Sequence, residues 1–133
     1  MDFHLKQHIE NEINTRLTKS LTFDWQPIGG GSINTTYKIS AKNYHYFVKI
    51  NSNTVFENGF KEEVLGLQFL KNHNAITPKI IIEGVFNTKI YLVLSWIESS
   101  FETALFWQNF GIQLANLHKN SFLIWCGNKI TTP

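Results

Sequence analysis

Apolar residues recur at every fourth position near the start of the chain, at Leu5, Ile9, Ile13 and Leu17. No proline or glycine interrupts this period, which is typical of an amphipathic helix with one buried stripe. The pattern therefore predicts a helix over residues 2–19.

Beyond this helix the chain breaks into short segments rich in aromatic and β-branched residues, separated by turn-forming stretches, as is typical of strands. The predicted strands are 22–28, 33–40, 44–51, 79–86 and 90–97. Two further helices are predicted at 56–72 and 100–119, and the tail at 120–133 shows no clear period. Strands joined by short turns pair antiparallel, so we predict an α+β fold in which the helix at 56–72 covers one face of the sheet.

Length and composition limit the size of the domain, the partners and the cellular compartment that can be expected. With 133 residues, the chain has room for one small domain with a modest core. The net charge of +2 comes without a basic run, which argues against nucleic acid or an anionic membrane as a partner. No apolar stretch reaches the length of a membrane span, the N-terminus lacks the features of a secretory signal, and Cys126 is the only cysteine. We therefore expect a cytoplasmic, soluble protein.

Three consecutive glycines, Gly29, Gly30 and Gly31, followed by Ser32, separate the first two predicted strands. Glycines let backbone N–H groups approach an anion closely, so this segment is a candidate phosphate cradle. Considered alone, such glycines are more often explained by a simple turn between two strands than by a phosphate-binding role. Ser32 is interpreted as a phosphate-contacting or turn residue rather than a nucleophile.

Lys49 lies within the otherwise apolar strand predicted at 44–51. Alternation places Phe47 and Lys49 on one face of that strand, and a lysine there is costly unless it is paired or reaches water. The next predicted helix carries Glu62 and Glu63, and the position of Glu63 on the helix allows it to meet Lys49. A lysine–glutamate pair of this kind holds the kinase lysine against the α- and β-phosphates of ATP.

The apolar strand at 90–97 leads into an extended connector that contains Ser95, Trp96 and Ile97. An adenine-binding hinge needs such a connector, because its backbone groups read the edge of the base while apolar side chains such as Ile28 and Leu94 enclose the ring. A core strand without a ligand explains this segment equally well when it is considered alone.

Taken in this order, the four features resemble the fructosamine (ketosamine) kinases, which are relatives of the aminoglycoside and choline kinases with a protein-kinase-like fold. The resemblance rests on Gly29–Tyr37, Phe-Val-Lys at 47–49, Phe60-x-x-Glu63-x-x-x-Leu67-x-x-Leu70, Leu-Val-Leu-Ser-Trp-Ile at 92–97, and Phe110–His118. It covers nearly the whole chain, but it corresponds only to the N-terminal portion of a family member.

The resemblance implies a role for each candidate residue. The segment 29–34 would cover the ATP phosphates, Lys49 would contact them, Glu63 would orient Lys49, and Ser95, Trp96 and Ile97 would receive adenine. It also implies a kinase-like N-lobe, a five-stranded antiparallel sheet with a packed helix. The implied division is 1–97 for this lobe (a helix at 1–19, then the nucleotide-binding part at 20–97) and 98–133 for the hinge exit and the first helix of a C-lobe. Complete members use MgATP to phosphorylate a sugar hydroxyl of ketosamines.

The chain departs from the family in its aspartates. Asp2 and Asp24 are the only two, and both precede Gly29, whereas phosphoryl transfer in this fold needs two later aspartates. We therefore expect no catalytic residue and no metal ligand in this chain, Mg²⁺ only with a complete C-lobe, and weak ATP affinity. Two alternatives stay open: a free-standing nucleotide- or protein-binding module, and a lobe of an aminoglycoside- or choline-kinase-like phosphotransferase.

The helix predicted at 100–119 is apolar around more of its circumference than one buried stripe requires. Such helices are usually covered on several sides, so we expect a homodimer or other self-association through this helix.

His4, His8 and Glu12 are spaced four apart on the first predicted helix, as metal ligands can be. A fourth ligand is lacking, and a solvated helix face is the preferred interpretation.

Overall fold

A computed structural model describes residues 2–29, 34–54, 59–99, 103 and 105–127. By its internal contacts the chain divides into two compact units. One comprises Met1–Val64 and Pro78–Ile97, and the other comprises Leu65–Thr77 and Glu98–Pro133.

The order of helices and strands is the predicted one. The elements are α1 Phe3–Leu17, β1 Asp24–Ile28, β2 Thr35–Ala41, β3 Tyr44–Ser52, α2 Lys61–Asn72, β4 Ile80–Phe86, β5 Lys89–Ser95 and α3 Phe106–Gly127. All five strands join one sheet in the order β1-β2-β3-β5-β4, and every neighbouring pair is antiparallel. The α+β fold class is therefore confirmed.

Two helix boundaries differ from the prediction. Gly59 has a φ of 61°, a left-handed conformation that does not fit inside a right-handed helix. The helix α2 accordingly begins at Lys61 rather than at residue 56. Residues 55–58 lie outside the described part of the chain. The last helix begins at Phe106 and continues to Gly127, through part of the tail in which no period was recognised.

The sheet is covered on one face by α1. Asp2 caps this helix by accepting a hydrogen bond from the backbone N–H of His4 at 2.9 Å. Leu5, Ile9 and Ile13 are at most 2% exposed and belong to one buried cluster with sheet residues such as Val48. Burial of each such side chain contributes about 1.5–3 kcal/mol to folding, which fixes α1 on the sheet.

The helix predicted at 56–72 meets the sheet through its first turn. Glu63, on α2, bonds to Lys49 of β3, and Phe60, immediately before α2, is buried, whereas no residue of α2 itself is buried. The stripe of α1 was predicted as well, but its place in the core of the sheet was not.

A polar contact also joins α1 to the sheet. The hydroxyl of Tyr91, on β5, donates a hydrogen bond to Glu12 Oε2 at 2.6 Å and lies 2.9 Å from His8 Nε2. Its single proton goes to Glu12, so the His8 ring is the donor in the second contact. Burial raises the pKa of Tyr91 above its ordinary value, and the neighbouring Glu12 raises it further. Glu12 and His8, considered above as metal ligands, are thus bound to Tyr91.

Beneath the same tyrosine lies Gly84, on the edge strand β4. A Cβ atom at position 84 would lie 2.3 Å from the Tyr91 ring, much closer than atoms that are not bonded can approach. The absence of a side chain at Gly84 therefore makes room for Tyr91.

Candidate functional site

Lys49 and Glu63 form the centre of the candidate site. In β3, Tyr46, Val48 and Ile50 are buried against α1, which leaves Lys49 on the opposite face, as alternation predicted. Lys49 Nζ donates a hydrogen bond to Glu63 Oε2 at 2.6 Å, and the two side chains are 18% and 35% exposed. The structure thus brings together the two residues that the sequence paired.

The surroundings of Lys49 are partly apolar. Its cross-strand neighbour Leu92 is fully buried, and the Phe60 ring centroid lies 5.6 Å from Lys49 Nζ. A half-buried ammonium in such surroundings is held by its charge-assisted bond to a carboxylate. The remaining donor capacity of the ammonium is available to an anion such as a phosphate.

The glycine segment is described only at its two ends. Gly29, directly after β1, is exposed, and no heavy atom of the described residues lies within 4 Å of the place a Cβ would take. Asn34, directly before β2, accepts a hydrogen bond from the side chain of Asn51. Gly30, Gly31 and Ser32, which were predicted to contact phosphate, lie outside the described residues.

The predicted hinge follows β5. Ser95 N–H donates to the Lys79 carbonyl at 2.8 Å, and Trp96 N–H donates to the His45 carbonyl at 3.1 Å. These two N–H groups are therefore occupied by backbone carbonyl groups and are not free to donate to a base, and the next residue, Ile97, is 53% exposed. Ser95 Oγ accepts a bond from Lys79 N–H, so its side chain also has a structural partner.

The Trp96 side chain has an unusual environment. Lys38 Nζ lies 4.3 Å from the centroid of its ring, a cation–π contact. Its Nε1 is buried and has no hydrogen-bond partner within the described part of the chain. A buried donor without an acceptor is costly, and functional sites are one place where proteins tolerate this cost.

Strand register places these features on one face. Lys49 is paired with Thr36 on β2 and Leu92 on β5, while Phe47 is paired with Lys38 and Leu94. Paired residues share a face, so Lys38 and Leu94 lie on the side that carries Lys49. Sequence reasoning had named Leu94 and Lys49 but had missed Lys38 and Asn51. Asn51 follows Lys49 by two positions, so the same alternation identifies it.

The described residues supply neither a metal centre nor a membrane segment. They contain no group of three His, Cys, Asp or Glu side chains that could hold a metal ion. No helix among them has the length and apolar character needed to cross a bilayer.

Comparison with known proteins identifies the family. The fructosamine kinase family model matches residues 5–129. A Vibrio cholerae protein named as a probable ketoamine kinase is 33% identical over 96 residues, which cover 71% of this chain and 33% of that protein. A Staphylococcus aureus protein named only by its position in the ileS 3′ region is 34% identical over 94 residues, which cover 71% of each chain.

The fold agrees with this result. A solved structure named as a fructosamine-3-kinase from Haemophilus somnus superposes with a TM-score of 0.71 at 20% identity, covering 94% of this chain and 39% of that one. The chain thus spans between a quarter and two fifths of the ketoamine kinase relatives that it matches. The family model nevertheless covers nearly all of it, and the chain belongs to the fructosamine kinase family.

Proposed function

We propose that this chain is the ATP-binding part of a ketosamine kinase. The observation that carries the proposal is the Lys49–Glu63 ion pair, 2.6 Å long, on the sheet face shared with Leu94. In kinases an ion pair of this kind holds the lysine where it can contact the α- and β-phosphates. In this arrangement Gly29 and the segment after it cover the phosphates, and Ile97 presents its backbone to adenine.

Several relatives are named as ketoamine kinases, which supports a proposal for the acceptor. We propose that substrate class, a sugar hydroxyl of a glycated amine, for the complete protein in which this chain would act.

The chain itself lacks the acidic groups of phosphoryl transfer. Its two aspartates are Asp2, which caps α1, and Asp24, which begins β1. The described residues hold no acidic cluster suited to Mg²⁺, so the residues present do not fit the metal, and no step through it is assigned to this chain. This observation favours the second candidate, a binding module that holds nucleotide without turnover.

A binding and turnover experiment separates these functions. We expect calorimetry to show weak binding of ATP, with a Kd of about 0.1–1 mM, because only part of the usual site is present. With fructosyl-lysine and MgATP we expect no phosphorylated product from this chain alone. Product that forms only when a separately expressed C-terminal region of a relative is added would support the kinase. ATP binding without product under either condition would support the binding module, and nanomolar affinity would contradict the expected weak site.

We also propose that α3 mediates self-association. Phe106, Trp107 and Phe110 are 42–60% exposed and contact one another, and the helix carries no lysine, arginine or carboxylate from Phe106 to Leu117. This face carries no charge that could pair with a charged partner. A second copy of the chain presents the same apolar face, so the two faces can pack against each other in a symmetric dimer.

Light scattering tests this proposal. We expect a concentration-dependent increase in mass above that of the 15.4 kDa monomer, and we expect Phe110→Glu to abolish it. Phe3→Glu, at an exposed phenylalanine on α1, serves as the control for the same change and should leave association unchanged. A monodisperse monomer at high concentration would contradict the proposal.

The cellular location proposed is the cytoplasm. A single cysteine excludes an internal disulfide, which suits a reducing compartment, and ATP is available there.

A further inference from the structure

Two side-chain hydrogen bonds hold the chain on either side of residues 30–33, the glycine turn predicted from the sequence, which lies outside the described residues. Thr36 Oγ1 donates to the carbonyl oxygen of Ile28, the last residue of β1, at 2.8 Å. Asn51 Nδ2 donates to Oδ1 of Asn34, the residue before β2, at 2.6 Å. One bond therefore holds the chain where it enters the turn, and the other holds it where it leaves.

The orientation of the Asn51 amide is determined by a second contact. Asn51 Oδ1 accepts a hydrogen bond from the backbone N–H of Ser52 at 2.7 Å. This contact assigns the oxygen and nitrogen ends of the amide, so that the NH₂ group is directed at Asn34.

Thr36 and Asn51, which donate these two bonds, are both neighbours of Lys49 on the sheet. Thr36 is its direct cross-strand partner on β2, and Asn51 lies two residues further along β3, on the same face. Ile28 and Thr36 are already paired in the sheet through their backbones. Loss of the Thr36 hydroxyl bond would therefore leave the pairing of β1 with β2 in place. The effect of these two bonds is therefore local, on the positions of Ile28 and Asn34 relative to the Lys49 ammonium.

We propose that Thr36 and Asn51 are positioning residues that hold the two stems of the glycine turn, Gly29 and Asn34, beside Lys49. A polyphosphate bound to the Lys49 ammonium then also meets the backbone of these stems. This proposal rests on the proposed nucleotide site and names residues that serve it without contacting the reacting atoms.

The test compares ATP with adenosine, because only ATP carries the phosphates. In calorimetric titrations of the full chain, Thr36→Val and Asn51→Ala should each weaken ATP binding about tenfold and leave adenosine binding unchanged. Thr36→Ser, which keeps the hydroxyl, should restore the affinity. Thr35→Val is the matched control: it makes the same change one residue away, at an exposed position, and should bind ATP as the wild type does. Circular dichroism melting confirms that each variant is folded.

Three results of these titrations would overturn the proposed positioning role of Thr36 and Asn51. Equal losses for ATP and adenosine, or a loss in Thr35→Val as large as in Thr36→Val, would overturn it, because the effect would then be general. Unchanged ATP affinity in Thr36→Val and Asn51→Ala would also overturn it. If Lys49→Ala weakens ATP binding in that case, the proposed nucleotide site survives; if Lys49→Ala has no effect either, the proposed function fails as well.

Discussion

Replacing Gly84 by alanine should lower the free energy of unfolding by about 2 kcal/mol, because the new methyl group collides with a ring that has no room to move. The Cβ would lie 2.3 Å from the ring carbon that bears the Tyr91 hydroxyl. Tyr91 is 1% exposed, and its hydroxyl is held by Glu12 and His8 on α1. Relief of the collision therefore requires α1 or the edge strand β4 to shift. Urea denaturation followed by circular dichroism measures the loss.

Gly66→Ala provides the matched control. Gly66 lies within α2, and in the described part of the chain no heavy atom lies within 4 Å of the place a Cβ would take. The same change should stabilise the protein there by about 0.5–1 kcal/mol through helix propensity. In a Tyr91→Leu background the cost of Gly84→Ala should fall below about 0.5 kcal/mol, because the ring is absent. A Gly84→Ala protein as stable as the wild type would show that the ring does not rest on position 84.

Local pattern explains why the elements were predictable. The four-residue period of Leu5, Ile9 and Ile13 and the alternation around Lys49 are short-range properties, and the structure reproduces both. The start of α2 was missed because the φ of Gly59 depends on the surrounding chain, and the period alone did not exclude Gly59 and Phe60 from the helix. The choice of α1 to cover the sheet depends on contacts between distant segments, which periodicity does not contain.

In the candidate site, too, local pattern predicts some features, while others depend on contacts between distant segments. The pairing of Lys49 with Glu63 was predictable, since strand alternation, helix spacing and the resemblance to kinases all indicate it. The contact between Gly84 and Tyr91, on the opposite face of the sheet, was not, because six residues and a strand turn separate them and neither residue is unusual alone. The strand that leads into Ser95 was predictable, because its apolar run is local. The occupation of the Ser95 and Trp96 N–H groups by Lys79 and His45 depends on strand register, which the sequence does not show.

Removal of the Lys49 ammonium should have the largest effect on ligand binding. Lys49→Met keeps the length of the side chain but removes its charge and its hydrogen-bond donors, so we expect ATP affinity to fall by about 30-fold or more, corresponding to about 2 kcal/mol. Adenosine lacks the phosphates and should bind as it does to the wild type. Isothermal calorimetry with both ligands measures the difference.

Glu63 should act through Lys49. Glu63→Gln leaves the side chain in place but removes the charge that holds the ammonium, so ATP affinity should fall by about tenfold. Glu62→Gln is the matched control, since Glu62 is the adjacent, exposed carboxylate of the same helical turn, and its removal should leave the affinity unchanged. Lys71→Met, in the last turn of α2, controls for the loss of one positive charge.

The double variant Lys49→Met/Glu63→Gln distinguishes a positioned pair from two independent contributions. If Glu63 acts only by orienting Lys49, its loss has no further effect once the ammonium is gone, so the double variant should bind ATP as weakly as Lys49→Met alone. Additive losses would mean that Glu63 contributes to binding by its own route. ATP affinity that survives Lys49→Met would remove the observation on which the proposed function rests, because the 2.6 Å ion pair would then be only a structural link between β3 and α2.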